Sequence, residues 1–114
     1  MSDTERVVYV QRLDPEQREA YVEAHEDVPD AVTDAMERGG VESFDLYVRD
    51  DVAVCIVECQ DIDAYLDAVD GDEDVAEWER YTDQFKRSGV DADADPAEGI
   101  PFAERIWHFE SDDA

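Results

Sequence analysis

Tyr21 and His25 stand four residues apart in the run Tyr-Val-Glu-Ala-His, a spacing that on a helix projects both side chains from one face. The chemistry such a pair can do is proton transfer. An imidazole titrates near neutrality and works in either direction, and a phenol beside it can donate to a substrate oxygen or relay a proton. The same pair also suits a histidine satisfied at the edge of a core. The only other histidine, His108, lies in an apolar run near the C-terminus, where it can serve as a pocket residue or as a strand-end residue bonded to the backbone. Cys55 and Cys59, the only cysteines, would point to the same face of a strand about 13 Å apart. They cannot pair there and read as small buried hydrophobes. Two acidic runs, Asp70-Gly71-Asp72-Glu73-Asp74 and Asp91-Ala92-Asp93-Ala94-Asp95, invite a calcium reading that fails on spacing. A calcium loop counted from Asp70 puts Val75 at the glycine position and Tyr81 at the bidentate Glu; counted from Asp91, it puts Pro96 and Phe102 there. No metal is expected.

With 114 residues and 43% hydrophobic content, residues 1–114 are expected to form one domain with a real core, residues 1–5 and 111–114 being loose ends. No apolar run approaches the roughly 20 residues of a membrane span, and the opening Met-Ser-Asp-Thr-Glu lacks the layout of a signal peptide. A cytoplasmic location follows as the expectation. The 34 acidic residues outnumber the 9 basic ones to give a net charge of −25, and Lys86 is the only lysine. Such a surface repels nucleic acid and anionic lipid, and its self-repulsion is tolerated when concentrated salt screens it. The composition thus reads as salt adaptation, with neither nucleic acid nor membrane as partner.

The elements that must position Tyr21 and His25 are legible around them. Val7-Val8-Tyr9-Val10 reads as a strand. Asp14 then caps a helix that starts on Pro15, with Gln17 three residues after the cap. Apolar positions Tyr21, Ala24, Val28, Ala31, Val32, Ala35 and Met36 keep helical spacing until Gly39-Gly40. Pro29 clashes one turn back, at residue 25, so a kink or break between His25 and Pro29 is predicted, with carbonyls freed near His25. Phe44, Leu46 and Val48 alternate with polar neighbours, Arg49-Asp50-Asp51 turns, and the strand from Val52 to Val57 is apolar on both faces, as befits an inner strand. Asp61 caps a second helical region through Val69, which breaks at Gly71 and resumes from Val75 through Phe85. Residues 88–101 read as a long loop, and residues 105–109 as the closing strand. The order strand, helix, strand, strand, helix, strand is that of an α+β, ferredoxin-like βαββαβ domain. Its helices cover one face of the sheet, and the apolar residues left on the other predict a homodimer packed sheet to sheet.

The segments Gln11-Arg12-Leu13-Asp14-Pro15 and, after five residues, Tyr21-Val22-Glu23-Ala24-His25 resemble the Q-x-V-x-P-x(5)-Y-x(3)-H opening of L-rhamnose mutarotases. Residues 40–47, Val54 to Glu58, Trp78-Glu79-Arg80-Tyr81 and the ending Ile106-Trp107-His108-Phe109 follow in the family's order, over roughly residues 7–110. The resemblance implies a dimeric α/β barrel and interconversion of the α and β anomers of a pyranose without a cofactor. By position, it makes His25 the proton donor, Tyr21 a sugar-binding tyrosine, and Trp78 the first of a sugar-binding tryptophan pair. Phe44 stands where the family places a binding tyrosine and Glu79 where the second tryptophan belongs. Trp78 would offer a flat apolar face to the sugar, and Glu79, pointing inward, would accept from a hydroxyl. The same fold also hosts non-catalytic sugar-binding or regulatory proteins and haem-degrading or antibiotic-type monooxygenases, which are the competing expectations.

Overall fold

A computed structural model describes residues 4–89, 99–109 and 111. Strand β1 (Glu5–Leu13) leads through a single 3-10 turn at Pro15–Gln17 into helix α1 (Arg18–Ala24) and, after a break, α2 (Asp30–Arg38). The hairpin β2 (Val41–Arg49) and β3 (Val52–Cys59) follows, then α3 (Ile62–Val69), α4 (Glu73–Asp83), β4 (Lys86–Ser88) and β5 (Phe102–Ala103). The sheet runs β2-β3-β1-β4, antiparallel throughout, with β5 also on β1. Placing β3 between β1 and β2 is the split βαβ arrangement, so the fold is ferredoxin-like, with each helical crossover in two pieces.

Local chemistry explains the joints. Asp14 accepts from the Glu16 N–H at 3.0 Å. Asp61 accepts from Asp63 N–H at 3.0 Å to start α3, and Asp72 accepts from the Asp74 and Val75 N–H groups to start α4. The acidic run at 70–74 is therefore a helix start, and Gly71 before it takes φ 77°, which favours glycine. The second acidic run, 91–95, lies outside the described residues. The hairpin turn is clasped from behind. Asp51 binds the guanidinium groups of Arg12 and Arg87, while its carbonyl accepts from Leu13 N–H at 2.7 Å. The hydrogen bond from Arg12 holds the Asp51 carboxyl below its usual range.

Register decides what faces inward. Tyr9 pairs with Cys55 and Gln11 with Ala53, while Leu46 and Val48 pair with Cys55 and Ala53 from the other side. The odd residues of β1 and β3 and the even residues of β2 thus share the helix-covered face. On it lie two core clusters, Tyr9 with Cys55, Val57 and Cys59, and Leu13 with Tyr21, Ala53 and Phe85. Both cysteines are buried, unpaired and on that face, as their spacing predicts. The opposite face carries Val8, Val10, Val54 and Ile56, with Val10 and Tyr47 exposed.

Two expectations need correction. The second helical region ends at Asp83 rather than at Phe85, and Lys86–Ser88 pairs with Arg12 and Leu13 as β4, so the predicted loop at 88–101 starts inside a strand. Residues 90–98 of that loop lie outside the described residues. The closing strand is Phe102–Ala103, paired to Tyr9 and Val8, and residues 105–109 have no regular structure. Ile106, Trp107 and Phe109 are apolar on both sides of their run, a pattern that needs cover on two faces, and they stand 88%, 76% and 68% exposed. One chain offers them no such cover.

Candidate active site

Between the helices and the inward face of the sheet lies a cavity of about 650 Å³. His25, Tyr21, Phe44, Trp78 and Glu79, the residues the sequence picks out, all line it. His108 does not; it is exposed on the irregular C-terminal segment.

The break that Pro29 imposes builds the histidine's position. Helix α1 stops at Ala24, His25 caps it, and Pro29 stands at the start of α2, where a missing N–H costs nothing. The His25 N–H turns to the Val22 carbonyl at 3.1 Å, leaving the Tyr21 carbonyl for the imidazole, whose Nδ1 lies 2.9 Å away. A carbonyl only accepts, so Nδ1 carries the proton and Nε2 is the atom left to exchange one with a ligand. The ring is packed on two sides, by Tyr21 with centroids 4.6 Å apart and by Trp78 edge-on at 5.3 Å. Burial lowers the His25 pKa below its ordinary value; the bond to Tyr21 opposes the shift and the Lys86 charge adds to it.

Tyr21 is 2% exposed, and its Oη receives the Gln11 Nε2 donor at 3.5 Å, which also points to Cys55 Sγ at 3.8 Å. Burial raises the Tyr21 pKa, with the Glu79 charge a smaller contribution, so the phenol stays protonated and available as a donor. Burial likewise pushes the Cys55 thiol up to about 11, an inert group at neutral pH. Phe44 meets Tyr9 edge to face at 6.3 Å. Trp78 and Glu79 come from α4, and the Glu79 carboxylate lies 3.6 Å from the Lys86 ammonium.

Two further residues line the cavity, Lys86, which lies outside the motifs, and Gln11, which opens the first motif but is given no role by it. Their signals are present in the chain. Gln11 is a polar residue between the apolar inward positions Tyr9 and Leu13 of its strand, and Lys86 is the only lysine among nine basic residues.

One imidazole packed against the Tyr21 ring, in an aromatic-walled cavity on a ferredoxin-like sheet, is an arrangement able to carry acid-base chemistry on a small ligand. The model of the L-rhamnose mutarotase family matches residues 6–109, and the chain belongs to that family of sugar mutarotases, enzymes acting on carbohydrates. No functionally curated protein matches it in sequence. Among solved structures it is similar to an L-rhamnose mutarotase from Formosa agariphila, with TM-score 0.70 and 17% identity over 93% of this chain and 99% of that one. It is also similar to the tetracenomycin F2 cyclase of Streptomyces glaucescens, a type-II polyketide cyclase, with TM-score 0.59 and 19% identity over 94% and 98% of the two chains. A conserved protein from Methanosarcina mazei Go1 follows at TM-score 0.57 and 12% identity, over 75% and 83%. At these identities the three share the fold. Among the described residues no helix is long and apolar enough to cross a membrane.

Proposed function

We propose that this chain interconverts the α and β anomers of L-rhamnose or a related pyranose by acid-base ring opening and closing, without a cofactor. The observation that carries the reading is His25, with Nδ1 committed to the Tyr21 carbonyl and its ring held between Tyr21 and Trp78 on the cavity wall. Ring opening removes the proton of the anomeric hydroxyl, breaks the bond between C1 and the ring oxygen, and protonates that oxygen. Rotation about C1–C2 presents the other carbonyl face, and closure reverses the transfers. His25 Nε2 supplies the proton to the ring oxygen, Tyr21 donates to a sugar oxygen, and Trp78 packs on the C–H face of the ring. Phe44 and Glu79 complete the sugar's surroundings.

Saturation-transfer NMR between the two anomer signals of L-rhamnose, in concentrated salt, tests this directly. Exchange that falls by about 100-fold or more in His25→Ala is the expected result. No exchange with rhamnose, fucose, galactose or glucose would instead make the chain a sugar-binding or regulatory protein on the same fold.

The working form is a homodimer. Val8, Val10, Val54 and Ile56 form an apolar strip on the open face of the sheet, next to exposed Tyr47, and Ile106, Trp107 and Phe109 extend the uncovered apolar surface. Two free buried thiols suit the reducing cytoplasm, and the charge of −25 suits one rich in salt.

A further inference from the structure

An acidic group interrupts the aromatic wall beside Trp78. Glu79 follows Trp78, where the family resemblance implies a second aromatic platform, and its carboxylate meets Lys86 Nζ at 3.6 Å. The ammonium is 3.4 Å from Asp83 Oδ1 as well, and the lysine side chain is only 4% exposed. Glu79 and Lys86 line the cavity; Asp83, 39% exposed, does not. A buried ion pair is a weak source of stability, because well-packed apolar residues usually do as well. Enclosing the only lysine of the chain in the cavity beside a carboxylate makes the pair a candidate for chemistry.

The pair shares the cavity wall with the phenols and the imidazole of the site. Tyr9 on β1, Tyr21 on α1 and Tyr65 on α3 line the cavity with Glu79, and burial above all, with the Glu79 charge adding to it, raises the pKa of each phenol. Lys86 acts on His25, and Trp78, the residue before Glu79, holds the His25 ring edge-on. Mutarotation needs two proton transfers, and His25 accounts for one.

Resting on the mutarotase reading above, we propose that Glu79 is the second proton-transfer group of the site and that Lys86 is its positioning residue. In ring opening the O1–H bond breaks and its proton passes to the Glu79 carboxylate. The C1–O5 electron pair goes to O5, which takes a proton from Nε2 of the His25 imidazolium. Closure on the other face returns the O5 proton to His25 and the Glu79 proton to O1, so nothing is consumed. The productive form holds one proton between the two groups. Burial raises the Glu79 pKa, Lys86 draws it down and Asp83 pushes it up; Tyr9, Tyr21, Tyr65 and Cys55 face the carboxylate as neutral groups near neutrality. His25 faces the Tyr21 carbonyl and the Lys86 charge.

The test is the same anomer exchange, followed from about pH 4 to about pH 9 with the intact protein, Glu79→Gln and Lys86→Met. The wild type should give a bell. Glu79→Gln, which leaves Lys86 its contact with Asp83, should lower kcat about 100-fold with little change in KM and lose the acid limb while keeping the alkaline one. Lys86→Met should move both limbs to higher pH, because removing one positive charge raises the pKa of each group. A folded Glu79→Gln that keeps its rate and both limbs overturns the inference and leaves the mutarotase reading standing. Should Glu79→Gln not fold, a Lys86→Met bell that does not move overturns it equally. A wild-type chain that exchanges none of the four sugars overturns both readings together.

Discussion

At the scale of single residues the site turns on a division of labour at position 21. The Tyr21 backbone carbonyl sets the His25 tautomer, the Tyr21 ring packs against the imidazole, and the Tyr21 hydroxyl meets Gln11. Only the third, together with the hydrogen bond proposed from this phenol to a sugar oxygen, depends on the side-chain oxygen. Tyr21→Phe should therefore leave His25 in place and keep far more anomer exchange than His25→Ala. The lost hydroxyl contact is long, at 3.5 Å, so urea unfolding should show a cost of about 0.5–1 kcal/mol. A loss of exchange as deep as that of His25→Ala would mean that the phenol itself moves a proton in the rate-limiting step. That comparison separates positioning from chemistry within one side chain.

At the scale of elements, what was legible in the sequence was whatever local chemistry decides. Asp14, Asp61 and Asp72 cap helices because a side-chain carboxylate near free N–H groups needs no distant partner. Pro29 breaks the helix next to His25 for an equally local reason, and the cavity residues from α1 and α4 could be placed on their elements from spacing alone. The tight start of β4 and the failure of 105–109 to form a strand were not legible, because each depends on which edge of β1 is free. The place of Lys86 in the cavity was hidden in the same way. Its burial arises only when β4 folds back beside α4, which no window around residue 86 encodes. Helix packing supplies the prediction at this scale. Gly39 caps α2 with an ordinary φ of −82°, so strain is not its reason for being glycine. A Cβ there would stand 2.8 Å from Tyr65 Cα and 2.9 Å from its ring, and the Tyr65 backbone cannot yield. Gly39→Ala should force α2 and α3 apart, cost about 1–3 kcal/mol in urea unfolding, and disturb the Tyr65 wall of the cavity.

For the whole molecule, charge and the uncovered sheet face belong to one argument. A chain at −25 repels itself and a second copy, so folding and the proposed sheet-to-sheet pairing are both opposed at low ionic strength. The ion pairs at Arg6–Glu58, Arg12–Asp51, Arg38–Asp72 and Arg87–Asp51 run the other way and are weakened by salt. With 34 acidic groups against 9 basic ones, most acids have no cation to lose, and relief of repulsion wins. The urea midpoint should therefore rise with KCl, and sedimentation velocity should show the dimer fraction rising with it at fixed protein concentration. The shape of the rise identifies its cause. The Debye length falls from about 10 Å at 0.1 M to about 3 Å at 1 M, so a screening effect is mostly spent by then. A midpoint that climbs steeply below about 1 M and then flattens marks the acidic surface as the lever. One that climbs steadily beyond it marks salt-strengthened apolar burial instead, with the strip around Val10 and Ile56 as the surface being driven out of water.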